Sequence, residues 1–194
     1  LFDANIKSEI VIKEKNKTLL YTGSLTRRYG IMNLIEAFIN IRSDNYRLWI
    51  CGEGDLREDI KGISAEDKRI IYFGQLTHEE VLLLQKKATV LINPRTSEGI
   101  YTKYSFPSKT IEYLASGTPT IIHRLEGIPD EYYQYCYVAE KENVEGLKNT
   151  ILNVCEKDQK ELNQFGEAAS KFISKNKNPI RQVKKIYDML NNQR

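Results

Sequence analysis

The chain has 194 residues, enough for one large domain with a sizeable core. With 41% hydrophobic and 28% charged residues it reads as soluble and globular. A formal charge of +3, from 29 Lys and Arg against 26 Asp and Glu, gives no argument for a nucleic-acid or membrane-surface partner, because the basic clusters LTRRYG and SKNKNPIRQVKK are short and separated.

Three cysteines, Cys51, Cys136 and Cys155, lack metal-ligand spacing and are odd in number, which suits buried free thiols in a reducing compartment. No run approaches the length of a membrane span, and no signal peptide is visible. The chain opens on LFDAN without Met and is expected to be a piece of a longer protein. Residues 1–16 carry few turn signals and read as a linker or domain-edge segment.

The first predicted strand is KTLLYTG. In the TGSLTRRYG that follows, Gly23 ends the strand, Gly30 opens a helix, and Arg27 and Arg28 lie between them. Small residues let a phosphate approach the backbone, and paired guanidiniums suit its oxygens. The helix GIMNLIEAFINI puts Ile31, Leu34, Ile35, Phe38 and Ile41 on one face. The second strand, YRLWICG, runs into WICGEGDL, which has Gly52 and Gly54 but no acidic residue at the strand end. A G-x-G-x-x-G fingerprint and a P-loop are both absent, which argues against a dehydrogenase and an NTPase.

After the short helix GDLREDIKGI and the third strand, RIIYFG, comes HEEVLLLQKKA, acidic at its start and basic at its end as the helix dipole prefers. Thr77 and Glu80 make a capping box there, which gives His78 a place at a helix N-terminus. The fourth strand is ATVLINP. In SFPSKTIEYLASGTPTI, Pro107 fits the first turn of a helix and Gly117 the position just past its end. Ile111, Leu114 and Ala115 form the inward stripe, while Glu112 lies roughly 100° around from Ile111, on the flank of Ser108 and facing the N-terminal end.

TPTIIHR and YCYVAE supply strands five and six, each of the six being read as buried. Beyond residue 142 the pattern is helical only: VEGLKNTILNVCEK, DQKELNQFGEAASKFISK and NPIRQVKKIYDMLNN. The prediction is therefore an α/β protein with a doubly wound, Rossmann-like parallel sheet of about six strands and extra C-terminal helices. In such sheets ligands bind beyond the carboxyl ends of the strands. His78 and His123 are each isolated and read as capping or packing residues, and no Asp-x-Asp is present to hold Mg²⁺ or Mn²⁺.

The segments YTGSLTRRYGIMNLIEAF, LWICGEGDL, IYFGQLTHEEV, LINPRTSEG and SFPSKTIEYLASGTPTI, in this order and spacing, resemble the C-terminal half of glycosyltransferase family 4, retaining enzymes of the GT-B architecture. The likeness runs from about residue 17 to residue 190, and PSKTIEYLASGTP is its most specific piece. The variant here looks most like bacterial enzymes of capsule, exopolysaccharide or lipopolysaccharide synthesis.

The resemblance implies a nucleotide-sugar-binding domain over 17–178 and a helix over 179–194 that crosses back to an absent N-terminal, acceptor-binding domain. The reaction it implies moves a hexose-type sugar, without a metal or other cofactor, from a nucleoside-diphosphate carrier to a glycan or lipid-linked acceptor. UDP is favoured by family habit, and the location is cytoplasmic, at most peripheral to the inner face of a membrane.

Residue by residue, Glu112 matches the ligand of the ribose hydroxyls, for which a carboxylate is a suitable acceptor. Ser108 and Lys109 would lie near the diphosphate, Gly23 and Ser24 would approach it from the first loop, and Gly74, Gln75 and Leu76 would hold the base. Ser24 and Tyr29 stand where the family has an arginine and a lysine, which leaves Arg27 and Arg28 as substitutes. Tyr104 stands at the family's first glutamate; Glu98, fourteen residues before Glu112, takes that role if IYTKYS loops out. Glu98, Arg28 and Lys109 are thus expected nearest the reacting bond. A binding module without turnover and a UDP-sugar epimerase of related fold are the alternative readings.

Overall fold

The computed structural model describes residues 12–178, with 183 and 187–189 beyond them. Most of the expected linker over 1–16 and most of the expected crossing helix over 179–194 lie outside the described residues.

All six predicted strands form: β1 (Lys17–Thr22), β2 (Tyr46–Cys51), β3 (Ile70–Gly74), β4 (Val90–Asn93), β5 (Thr120–Ile122) and β6 (Tyr137–Val138). Between and after them come α1 (Ile31–Ile39), α2 (Arg57–Glu66), α3 (His78–Lys87), α4 (Ser108–Ser116), α5 (Val144–Cys155) and α6 (Gln159–Asn176). Each strand pairs in parallel with its neighbours, in the order β3-β2-β1-β4-β5-β6. This is the doubly wound order in which the chain builds outward from β1 in one direction and from β4 in the other.

The central strands are near-continuous apolar runs because helices cover both faces of the sheet. In β1 every residue after Lys17 is buried. The outer strands depart from the expectation of six buried strands. β3 pairs only with β2 and leaves Ile71 and Phe73 about a third exposed, while the two residues of β6 are half-buried. An edge strand has one neighbour instead of two, so its side chains are less fully covered.

On α1, Ile31, Leu34, Ile35 and Phe38 are buried in the main core with Leu147, Ile151 and Val154 of α5. Burial of each such side chain contributes about 1.5–3 kcal/mol. The capping box at Thr77 is formed: Glu80 N–H donates to Thr77 Oγ1 at 3.3 Å, and Thr77 N–H donates to Glu80 Oε2 at 2.8 Å.

For α4 the expected stripe of Ile111, Leu114 and Ala115 is only partly right. Leu114 is buried, with Ile111 and Ala115 packed half-buried around a cluster that includes Phe172 and Ile173 of α6. The deepest polar side chains, Thr110 and Tyr113, lie on another side, and Tyr113 packs with Leu20 and Leu91 of the sheet. The helix is wedged between sheet and outer helix, so two of its sides are covered rather than one. Pro107 is its N-cap rather than a first-turn residue, and Gly117, at φ 79°, ends it in the left-handed region as expected.

Cys51, Cys136 and Cys155 are free and buried, and burial pushes each thiol up to about 12. Thiols held that far from ionisation are unreactive.

Candidate functional site

The sheet order reverses between β1 and β4, and the helices that follow these strands pack on opposite faces, opening a crevice at the strands' carboxyl ends. Two adjoining clefts occupy it. One, of about 280 Å³, is bordered by Tyr29, Asn93, Arg95, Phe106, Pro107 and Ser108; the other, of about 250 Å³, by Gly52, Glu53, Gln75, Leu76 and Val81. Thr22, Gly23, Ser24 and Lys109 line both, so the two form one groove with the end of β1 and the start of α4 at its middle.

The loop after β1 is fixed by backbone contacts. Gly23 N–H donates to Cys51 C=O at 3.0 Å, Leu25 N–H to Glu53 C=O at 2.9 Å, and Leu56 N–H to Leu25 C=O at 3.0 Å. Gly30, at φ 76°, leaves room for the carbonyl of Pro94: a Cβ there would sit 2.2 Å from that oxygen. No side chain but hydrogen satisfies both the left-handed backbone and this approach.

The start of α4 is open. Pro107 offers no side-chain cap and the first turn holds no acidic residue, so its free N–H groups and the positive end of the helix favour an anion. Lys109 Nζ reaches back to donate to both oxygens of Glu112, at 3.0 and 2.9 Å. Gln85 Nε2, from α3, donates to Glu112 Oε1 at 2.6 Å. Tyr113, 1% exposed, fixes the helix against the end of β1: its hydroxyl accepts from Thr22 N–H at 2.8 Å and donates to Thr22 C=O at 3.1 Å. Burial pushes its phenol well above the usual value, so it stays a neutral donor.

Of the residues expected at the site, the groove walls bring together Gly23, Ser24, Gln75, Leu76, Ser108 and Lys109. Gly74 is the last residue of β3, immediately before Gln75. Glu112 is not a lining residue, its side chain being 25% exposed, and it joins the groove through Lys109. Arg27 and Arg28 are exposed and outside the lining; the Arg28 guanidinium lies over the Tyr29 ring, 5.0 Å from its centroid. Glu98 is exposed on the loop after β4 and also outside the lining, and Tyr104 is 84% exposed.

Sequence reasoning passed over Arg95, Asn93, Gln85 and Tyr113. Arg95 is buried, lines the larger cleft and donates to Ser105 Oγ at 2.6 Å; its signal was a cation directly after the Pro that ends a strand. Gln85 is fully buried, and its signal was an amide one residue after a run of three leucines. Among the described residues no three His, Cys, Asp or Glu side chains converge, and no helix is long and apolar enough to cross a membrane.

Comparison with known proteins agrees with this geometry. An uncharacterized glycosyltransferase of Methanocaldococcus jannaschii is 27% identical over 128 residues, 64% of this chain and 31% of that protein. Sucrose-phosphate synthase from Thermosynechococcus elongatus superposes with a TM-score of 0.71 at 23% identity, over 92% of this chain and 46% of that one. Anabaena HepE, solved in complex with UDP, gives a TM-score of 0.73 at 15% identity, over 92% and 49%. The chain thus spans about a third of the curated relative and under half of each of these structures. Residues 2–172 match the family of glycosyl transferases group 1, and the chain belongs to that family, with the fold of the C-terminal half of a GT-B enzyme.

Proposed function

We propose that residues 17–178 form the donor-binding half of a retaining glycosyltransferase. On this reading it moves a hexose-type sugar from a nucleoside-diphosphate sugar to a glycan or lipid-linked acceptor in cytoplasmic polysaccharide synthesis, without a metal. The acceptor would be bound by a second domain. The observation that carries the reading is the groove itself, continuous across the strand ends and centred on an uncapped helix N-terminus, a lysine and a glycine loop.

The parts divide by chemistry. Backbone groups around Gln75 and Leu76 meet the base, Glu112 accepts from the ribose hydroxyls, and Gly23, Ser24, Ser108 and Lys109 surround the diphosphate. Cleavage at the anomeric carbon leaves charge on that diphosphate, and the Lys109 ammonium with helix N–H groups stabilises it as it develops. Arg95, which the sequence reading did not single out, lines the same cleft as Ser108 and adds positive charge there, with Arg28 at the rim beside Tyr29. UDP is the preferred carrier, and HepE, of the same fold, was solved with UDP.

The test is calorimetry of UDP binding by this chain and by Glu112→Gln. The variant should keep its melting temperature and bind about 1–3 kcal/mol more weakly, the worth of a hydrogen bond to a charged group. Unchanged affinity would remove Glu112 from the site.

A further inference from the structure

Gln85 is fully buried in the helix that precedes β4, and its side-chain amide is aimed at a single acceptor. Its Nε2 donates to Glu112 Oε1 at 2.6 Å, while its Oε1, equally buried, has no hydrogen-bond partner. A buried amide oxygen without a partner is destabilising, because it has given up its water and gained nothing in return. A methionine or leucine would occupy the same buried position without that cost, so packing alone does not account for an amide here. The contact to Glu112 does.

We propose that Gln85 is a positioning residue for nucleotide binding, holding the Glu112 carboxylate in place when Lys109 turns to the diphosphate. The inference rests on Glu112 being the ribose ligand. Lys109 donates to both oxygens of Glu112, yet it also lines both clefts at the point where they meet. A diphosphate entering there carries more negative charge than one carboxylate and draws the ammonium away. Glu112 then keeps one donor, and it is neutral and immobile. An amide fixes Oε1 without adding a charge that competes with the phosphates, and it leaves Oε2 free to accept from the two vicinal hydroxyls. The backbone carbonyl of Gln85 accepts from Thr118 Oγ1 at 2.7 Å, which ties this turn of α3 to the segment just after α4. Both ends of the contact are therefore anchored.

The experiment compares the affinity of this chain for UDP and for 2′,3′-dideoxyuridine diphosphate, by calorimetry, in the wild type, Gln85→Met, Gln85→Glu and Glu112→Gln. Gln85→Met should weaken UDP five- to tenfold and leave the dideoxy nucleotide within twofold, because the lost contact acts only through the ribose hydroxyls. Gln85→Glu keeps the shape but sets a second carboxylate against Glu112. Its UDP affinity should be low at pH 8 and recover as the pH falls towards 5, when a proton shared by the pair restores a donor.

Equal losses for both nucleotides in Gln85→Met, or no loss for either, would overturn the proposal, as would a pH-independent Gln85→Glu should the methionine variant fail to fold. If Glu112→Gln discriminates the two nucleotides and the Gln85 variants do not, only the role of Gln85 falls. If neither does, or if the wild type binds both nucleotides equally, Glu112 is not the ribose ligand and both readings fall together.

Discussion

Two loops meet at the mouth of the groove, and they are held in opposite ways. The loop after β1, residues 23–30, is short and fixed mainly by its backbone, through hydrogen bonds to Cys51 and Glu53 and through the close approach of Gly30 to Pro94, with one side-chain tie from the Tyr21 hydroxyl to the Ser24 carbonyl at 2.8 Å. The loop after β4, residues 94–107, is longer and fixed by side chains. Arg95 holds Ser105, Thr102 Oγ1 donates to the carbonyls of Ser97 and Gly99, and Glu142 accepts from both N–H and hydroxyl of Ser97. The difference separates two tasks. A backbone-held loop presents the same N–H groups whatever its side chains are, which suits an invariant group such as a diphosphate. A loop whose course depends on particular side chains changes shape when they change, which suits the part of a ligand that varies.

The largest effect is expected where the two loops touch. Gly30→Ala forces a side chain into the left-handed region, at about 1–2 kcal/mol, and drives a Cβ against the Pro94 carbonyl, an overpacking of about 1–3 kcal/mol. The summed loss should be roughly 3 kcal/mol in urea unfolding, and UDP affinity should fall with it because both loops move. A stability loss under 1 kcal/mol would mean that the loops are not mutually locked. Gly62→Ala is the control, since nothing lies within 4 Å of a Cβ there; in the middle of α2 it should be neutral or slightly stabilising.

A smaller effect is expected within the side-chain-held loop. Arg95→Met and Ser105→Ala each break the 2.6 Å contact, and the double mutant should lose less than the sum of the two. The coupling should be about 1–2 kcal/mol, as for a hydrogen bond to a charged group in a partly buried place. Ser105→Ala leaves the charge of Arg95 in the cleft, so its thermal stability should change more than its affinity for inorganic pyrophosphate, whereas Arg95→Met, which removes that charge, should lower both. Additive single losses would show that the loop keeps its course without Arg95.

The same contrast governs how much was legible in the sequence. The strands, the helices and the first loop were readable because their signals are local: apolar runs, the Thr77 and Glu80 pair, and glycines at set positions after a strand. The edge positions of β3 and β6 were not, since RIIYFG is apolar whether one or two neighbours cover it. Nor was the covering of α4 on two sides, because a helical stripe shows which residues share a face and not how many elements press upon it. Gln85 and Glu112 are 27 residues apart, Arg95 and Ser105 ten, and Thr22 and Tyr113 91. Contacts of that kind exist only once the sheet has set the distances, so Glu112 and Lys109 were found by resemblance while Gln85, which also holds Glu112, was not.

The smallest effect concerns His123, at the end of β5 beside the side-chain-held loop. It is buried, and burial lowers its pKa below the usual 6.5 against the opposing influence of Glu142 and of the Arg95 and Pro94 backbone. In the unfolded chain the ring takes up a proton as the pH falls through about 6.5, whereas in the folded chain it resists until a lower pH. The unfolded state therefore binds more protons in that window, and stability falls with pH, by at most about 1.4 kcal/mol per unit for one group. Carboxylates held low by cationic partners, such as Asp67 beside Arg69, add their own losses only as the pH falls through the ordinary carboxylate range and below. Urea unfolding at pH 7.5 and at pH 5.5 should accordingly show the wild type less stable at the lower pH, and His123→Met should lose most of that difference. Equal pH dependence in the two proteins would mean that His123 takes its proton in the folded state as readily as in the unfolded one. The loop after β4 would then adapt to a new charge beneath it while keeping the side-chain contacts that set its course.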